Sequence, residues 1–323
     1  MVEVTIMLRS LNISVIDSCN HRCTMCSIWK NEQQPVLSVE FMREALGRSQ
    51  PSLSEVIDLS LTGGEPFLRK DIVNLTQVIL DFLPKIQILF INTNASMPQR
   101  VVEYAAAVSK MSPKTIISVS LDGDRDIHRK IRGVDAYDKA IETLRLVNGL
   151  GLPNVSAMIS TTITEPDDAT RILHHVQEVA DKLKCDYTFR VADISSSYYR
   201  NNDFVRGPFT KRDISELESF ILKHKPDDPF LPYVIEHMRT KKNRLMIDSQ
   251  GINNCLAGDA FIFVQADGVI RPCIYSQRSI GNLERGIHPQ RPDDLGKHEP
   301  CPCCTECTVY PMLLAKGMEH TKI

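Results

Sequence analysis

The amino-acid sequence predicts an α/β protein whose parallel sheet curls into a barrel or part of one, and three observations carry that expectation. Between residues 11 and 192, six short runs rich in Ile, Val, Leu and Thr alternate with amphipathic helical stretches, the rhythm of consecutive βα units. Each run reads as mostly apolar on both faces, as strands do when helices cover their sheet. Cysteine-bearing and polar motifs follow the strands directly, at the edge where parallel α/β sheets carry their active sites.

The strands are expected at 11–16 (LNISVI), 56–62 (VIDLSLT), 86–93 (IQILFINT), 115–121 (TIISVSL), 155–163 (VSAMISTTI) and 187–192 (YTFRVA). Helices are expected at 39–48, with Ser38 as N-cap, and near 70–82, 98–110, 136–148 and 168–183. After residue 192 the rhythm changes. The stretch 195–209 (SSSYYRNNDFVRGPF) reads as a polar and aromatic loop, followed by helices near 211–224 and 229–241. The segment 261–273 (FIFVQADGVIRPC) reads as a β-hairpin turning at Asp267-Gly268, since glycine accepts the positive φ of tight hairpin turns. The segment 299–311 (EPCPCCTECTVYP) reads as a cysteine-rich loop.

Composition sets the boundaries. The 323 residues are 42% hydrophobic and 24% charged, ordinary globular usage with room for one large domain and a smaller appendage. A formal net charge of −2 gives no basic field for nucleic acid or an anionic membrane. No apolar run approaches the roughly 20 residues that span a bilayer, and the N-terminus lacks a secretory leader, so a cytoplasmic protein is expected. Ten cysteines are unusual there unless they bind metal, and all but Cys185 fall into two groups. A disulfide framework belongs instead to small secreted domains.

The first group, Cys19, Cys23 and Cys26, is spaced C-x3-C-x2-C and follows the first strand. A structural zinc or ordinary iron–sulfur site takes four protein ligands; three leave a coordination position open. Alone, the spacing would also suit half of a zinc site. One strand later comes TGGEP (Thr62–Pro66), whose paired glycines permit close backbone approach. Two strands further, SLDG (Ser120–Gly123) brings polar groups to the same edge.

The cysteine trio after the first strand and G-G-E-P after the second resemble the radical S-adenosylmethionine (SAM) superfamily. That resemblance implies a partial (βα)6 TIM-like barrel. It also implies a [4Fe–4S] cluster held by Cys19, Cys23 and Cys26, with SAM chelating the remaining iron. One-electron reduction of SAM would then release a 5′-deoxyadenosyl radical able to abstract hydrogen from an unactivated C–H bond. By the same resemblance Gly63, Gly64 and Glu65 line the site of the SAM amino group. Ser120 and Asp122 lie near its ribose and methionine end, and Arg132 pairs with its carboxylate; the other reading of Arg132 is a solvated arginine at a helix start. Asn92 and Asn94 occupy the family's T-N-G position with Ala95 in place of glycine, and Met25 replaces the usual aromatic before the third cysteine.

The second cysteine group resembles the C-terminal extension of the SPASM and twitch subfamilies. Cys255, Cys273, Cys304 and Cys307 fit its pattern of ligands to one auxiliary iron–sulfur cluster, which the resemblance implies to be [4Fe–4S], and a structural zinc knot is the competing reading. Cys301 and Cys303 are alternative ligands or hydrogen donors to a product radical. The resulting division is a barrel over 1–195, a helical linker over 196–250 and a twitch-like auxiliary-cluster domain over 251–323. Cys185 reads as a buried inert thiol, and His174-His175 as helix surface. Asp193, Tyr198, Tyr199 and Arg200 follow the sixth strand, either to meet a polar substrate or as a solvated loop.

The expected protein is thus a radical SAM enzyme reduced by a flavodoxin or ferredoxin. The first strand begins near residue 11, leaving no room for the N-terminal peptide-recognition domain of many peptide-modifying relatives. That favours oxidation, epimerisation or decarboxylation of a small polar substrate such as a sugar, aminoglycoside or nucleoside. Modification of a ribosomal peptide is the alternative within the family; a zinc-stabilised binding module or an electron carrier is the alternative outside it.

Overall fold

Strand alternation decides how the sheet is dressed. In β2 (Asp58–Thr62) the residues Leu59 and Leu61 are fully buried, while Asp58, Ser60 and Thr62 take the opposite face. The computed structural model describes residues 7–31, 36–111, 113–225, 227–228, 235 and 255–290. Within them β1 (Ser10–Ser14), β2, β3 (Ile88–Thr93), β4 (Lys114–Ser120), β5 (Val155–Ile163) and β6 (Tyr187–Val191) run parallel, each beside its chain neighbour. The helices between them are α1 (Val39–Arg48), α2 (Ile72–Leu80), α3 (Pro98–Val108), α4 (Arg125–Arg132), α5 (Tyr137–Gly149) and α6 (Ala169–Leu183), with α7 (Lys211–His224) after β6. The Ser38 hydroxyl accepts the Phe41 N–H at 3.1 Å, capping α1 as expected.

Two expectations are corrected. The strands are not apolar on both faces. Leu89, Ile91, Ile117, Val119 and Ile159 are fully buried in the main core. The alternate positions include Asn12, Asn92, Ser118, Ser120, Thr162 and Arg190, because the inner face of the sheet borders a cavity and not a second apolar layer. Arg132 does not start a helix. It ends α4, an eight-residue helix that the sequence reading missed, capped by Asp124 and stopped by Gly133 at φ +68°.

The hairpin is continuous with the barrel sheet. β7 (Phe261–Val264) pairs parallel with β1, Leu11 opposite Ile262, and β8 (Val269–Arg271) and β9 (Gly281–Asn282) extend it antiparallel. The order is β6-β5-β4-β3-β2-β1-β7-β8-β9. Gly268 turns the hairpin at φ +88°, as expected. The expected helix near 229–241 lies almost wholly outside the described residues, and Cys301, Cys303, Cys304 and Cys307 lie outside them entirely. Among the described residues no helix is long and apolar enough to cross a membrane.

Candidate active site

The chain leaving β1 runs over the paired glycines after β2, and the contact explains both. Gly64 N–H donates to Ile16 O at 2.8 Å and Glu65 N–H to Ser18 O at 2.9 Å. A Cβ at residue 63 would lie 2.3 Å from Ile16 O, and one at residue 64 would lie 1.9 Å from Ser18 O. Gly63 also holds φ +139°, a backbone region reserved for glycine. From the other side, Arg22 and Thr24 N–H donate to the carbonyls of Arg132 and Ile131 at 3.0 and 2.9 Å. There Gly133 approaches so closely that a Cβ would sit 2.4 Å from Arg22 O. The cysteine loop is therefore fixed between two backbone clamps.

Cys19, Cys23 and Cys26 line one cavity and form no disulfide. Asn94 Nδ2 donates to Cys19 Sγ at 3.7 Å, and Arg132 Nη1 to Cys23 Sγ at 3.9 Å. Burial pushes the Cys19 thiol up to about 11 and the Cys26 thiol up to about 12, and raises Cys23 as well. Three desolvated sulfurs thus hold their protons unless a cation replaces them. Among the described residues no three His, Cys, Asp or Glu side chains converge on a single-ion site. Three sulfurs lining one cavity suit a multi-iron cluster.

Gly63, Gly64, Asn94, Ser120 and Arg132 also line the cavity, together with Asn92. Glu65 and Asp122, expected at the wall, stand one layer behind it. Glu65 is fully buried and accepts from Phe67 N–H, Thr93 Oγ1 and Asn94 N–H at 3.1, 2.8 and 2.6 Å. Burial nonetheless pushes it up to about 7. Asp122 holds Arg132 Nε at 2.5 Å and Thr162 N–H at 2.8 Å, so it orients the guanidinium rather than meeting a guest. Ala95 is left-handed at φ +58°, the conformation that makes glycine the common choice there.

Each of the six parallel strands sends a polar side chain into this cavity: Asn12, Thr62, Asn92, Ser120, Thr162 and Arg190. Arg190 donates from Nε to Thr162 Oγ1 at 3.3 Å and lies over the Tyr199 ring at 6.0 Å. The buried Asn12 Oδ1, His21 Nδ1 and Trp29 Nε1 at the wall have no hydrogen-bond partner among the described residues, which a polar guest would supply. Burial, then the Arg132 charge, pushes His21 down to about 3, leaving a neutral imidazole. Asn12, His21, Trp29, Thr162 and Arg190 escaped the sequence reading. A lone polar residue inside an apolar strand was the available signal.

Of the other candidates, Asp193, Tyr198 and Tyr199 line the cavity, and Arg200 pairs with Asp17 at 2.5 Å. Cys255 and Cys273 are buried in one apolar cluster with Tyr198 and Phe263, against which Cys26 packs. Cys185 precedes β6 at the opposite sheet edge and is half-buried, its thiol pushed up to about 11 by burial. His174 packs edge-on against Phe220, and His175 Nε2 lies 2.8 Å from the Tyr137 hydroxyl.

Residues 13–176 match the family described as the Radical SAM superfamily. The GTP 3′,8-cyclase of Alkaliphilus metalliredigens is 24% identical over 301 residues, covering 89% of this chain and 88% of that protein. The GTP 3′,8-cyclase of Gloeobacter violaceus is 28% identical over 149 residues, 44% of this chain and 43% of that one. Among solved structures, Streptococcus suis SuiB bound to S-adenosylmethionine aligns with a TM-score of 0.64 at 18% identity, covering 86% of this chain and 64% of SuiB. Native anSMEcpe with bound AdoMet aligns with a TM-score of 0.57 at 18% identity, covering 85% and 78%. The chain thus spans most of the first cyclase, under half of the second and less than two thirds of SuiB. The structural likenesses establish the shared fold.

Proposed function

The chain belongs to the radical SAM superfamily, and from that premise we propose that it starts hydrogen abstraction on a small, polar, hydroxyl-rich substrate of the sugar or nucleoside class. It is an iron–sulfur enzyme, and family membership implies a [4Fe–4S] cluster with SAM. When bound and reduced, that pair supplies one electron to the sulfonium and a 5′-deoxyadenosyl radical as the hydrogen acceptor. Cys19, Cys23 and Cys26 would hold the cluster, with Asn94 and Arg132 donating to two of the sulfurs. Gly63, Gly64 and Ser120 would face SAM, with Glu65 and Asp122 stiffening the wall from behind.

The observation that carries the substrate reading is the ring of one polar side chain from each of the six strands. Amides, hydroxyls and a guanidinium match the donors and acceptors of a sugar or nucleoside; an apolar guest would leave Asn12 Oδ1, His21 Nδ1 and Trp29 Nε1 unsatisfied. The GTP 3′,8-cyclase names of the sequence relatives support a nucleotide-like member of this class. The proposal includes one auxiliary iron–sulfur cluster on Cys255, Cys273, Cys304 and Cys307, supported by the burial of the first two in one cluster beside Cys26. A flavodoxin or ferredoxin is the proposed reductant.

Anaerobic reconstitution, reduction and assay for 5′-deoxyadenosine test the reading. Sugars, nucleosides and nucleotides are expected to stimulate its release above that seen with peptides. A deuterated substrate from that group should transfer its label into 5′-deoxyadenosine. Label transfer from a peptide alone would overturn the substrate class, and a reduced protein that never cleaves SAM would overturn the whole reading.

A further inference from the structure

The loop after β6 reaches across the barrel mouth and grips the glycine turn through one residue, Tyr198. Its hydroxyl lies 2.7 Å from Thr62 Oγ1, receives the Gly63 N–H at 3.2 Å and donates to Gly63 O at 3.1 Å. A single buried phenol therefore engages both peptide groups of a glycine lying 135 positions away in sequence. The Gly63 backbone has no Cβ and an uncommon φ, so it needs external contacts to keep one conformation.

The ring is held as firmly as the hydroxyl. It packs on Phe263 of β7 at 5.0 Å and on Tyr199 at 4.8 Å between centroids. The loop backbone is tied down on two further sides. Toward the cysteine loop, Ser27 N–H donates to Tyr199 O at 2.8 Å and Asn201 Nδ2 to Met25 O at 2.8 Å. Toward the hairpin, Ser195 and Ser197 hydroxyls donate to Ile274 O at 2.5 and 2.9 Å, beside Cys273.

We propose that Tyr198 is a positioning residue that sets the Gly63 peptide for SAM, a task the glycine motif does not complete alone. The inference rests on the reading that the Gly63–Gly64 turn receives SAM. Tyr198 acts through Gly63, and its strength comes from anchorage on two other segments of the molecule.

Tyr198→Phe removes the hydroxyl and keeps the ring; Thr62→Val removes its hydroxyl partner without touching the ring. Both are compared with the wild type, reconstituted anaerobically, for iron content, SAM Kd and the change that SAM induces in the reduced-cluster EPR signal. Wild-type SAM binding tests the underlying reading by itself. Y198F is expected to retain its iron and to raise the SAM Kd about fivefold, the equivalent of one buried hydrogen bond. The EPR change should be restored at saturating SAM, and 5′-deoxyadenosine formation should show a raised SAM KM. T62V should raise the Kd by a smaller factor in the same direction, with the double variant no worse than Y198F, and it carries the test if Y198F fails to fold. SAM affinity within twofold of wild type in the folded variants would overturn the inference, as would iron loss in proportion to the lost affinity.

Discussion

The two walls of the cavity are built by different means. The wall from β1, β2 and the end of α4 is a backbone construction: backbone hydrogen bonds of 2.8 to 3.0 Å join Ile16, Ser18, Arg22 and Thr24 to the turn and helix that flank them. The wall from β5 and β6 is a side-chain construction, with Thr162, Arg190 and Tyr199 standing on ordinary strand and loop backbone. Chemistry is locked at the first wall and adjustable at the second. A backbone wall dictates residue type, since a Cβ at residue 64 has nowhere to go. A side-chain wall tolerates exchange, which suits the end that meets a variable substrate.

If that division holds, damage to the first wall, or to the Tyr198 hydroxyl that grips it, weakens the cofactor site, and damage to Thr162 or Arg190 removes only coupling to substrate. The largest effect is expected for Cys23→Ala, which should abolish SAM cleavage and strip the iron held by the cysteine trio. Iron analysis and 5′-deoxyadenosine release measure it. Next, Gly64→Ala forces a methyl group against Ser18 O. It should lower SAM cleavage at least tenfold and weaken iron retention, although no ligand has changed. Wild-type behaviour of this variant would break the comparison, because the wall would then not be backbone-locked.

Arg190→Ala sharpens the contrast from the other side. Iron content and SAM affinity should stay within twofold of wild type, while substrate-stimulated 5′-deoxyadenosine formation falls roughly tenfold, about 1.4 kcal/mol of lost interaction. Equal loss of SAM binding would move Arg190 to the cofactor wall.

No effect on the chemistry is expected at the far end of the sheet, where the change is in stability alone. Asp58 is fully buried, its Oδ2 bonded to the Ser10 hydroxyl and its Oδ1 without a partner. Burial pushes it up to about 7 from its ordinary value of 3.8. A carboxyl raised in the folded state costs nothing below its unfolded value, and its penalty grows from about pH 4 to pH 7 and is complete above. Asp58→Asn should therefore stabilise the fold by roughly 1–3 kcal/mol at pH 8 and leave it unchanged at pH 4. Thermal unfolding at the two pH values measures this, with SAM cleavage unaffected.

The same contrast explains what could be read from the residues alone. The trio and GGEP were legible because ligation and backbone crowding each demand one residue type. Strand and helix order was legible for a similar reason, as α1 and its Ser38 cap illustrate. Arg190 and Thr162 were not, since a β-strand accepts them without any local mark. The polar inner face was in fact written in the alternation of Asp58-Leu59-Ser60-Leu61-Thr62, but leucine-rich runs mask a period of two. Nor does Phe261–Val264 state its neighbour: pairing of β7 with β1 depends on where the chain returns, a long-range fact. Helix α4 is only eight residues long, and its buried apolar face rests on just Ile127 and Ile131, too few to mark a helix in the sequence.

In the proposed chemistry three thiols leave one iron open to SAM. Electron–nuclear double resonance on the reduced Cys255→Ala/Cys273→Ala protein, with SAM labelled by 15N at the amino group and 17O at the carboxylate, observes that iron directly. Hyperfine coupling from both labels is the predicted result. A reduced cluster without coupling to either label, or no cluster at Cys19, Cys23 and Cys26, would contradict it.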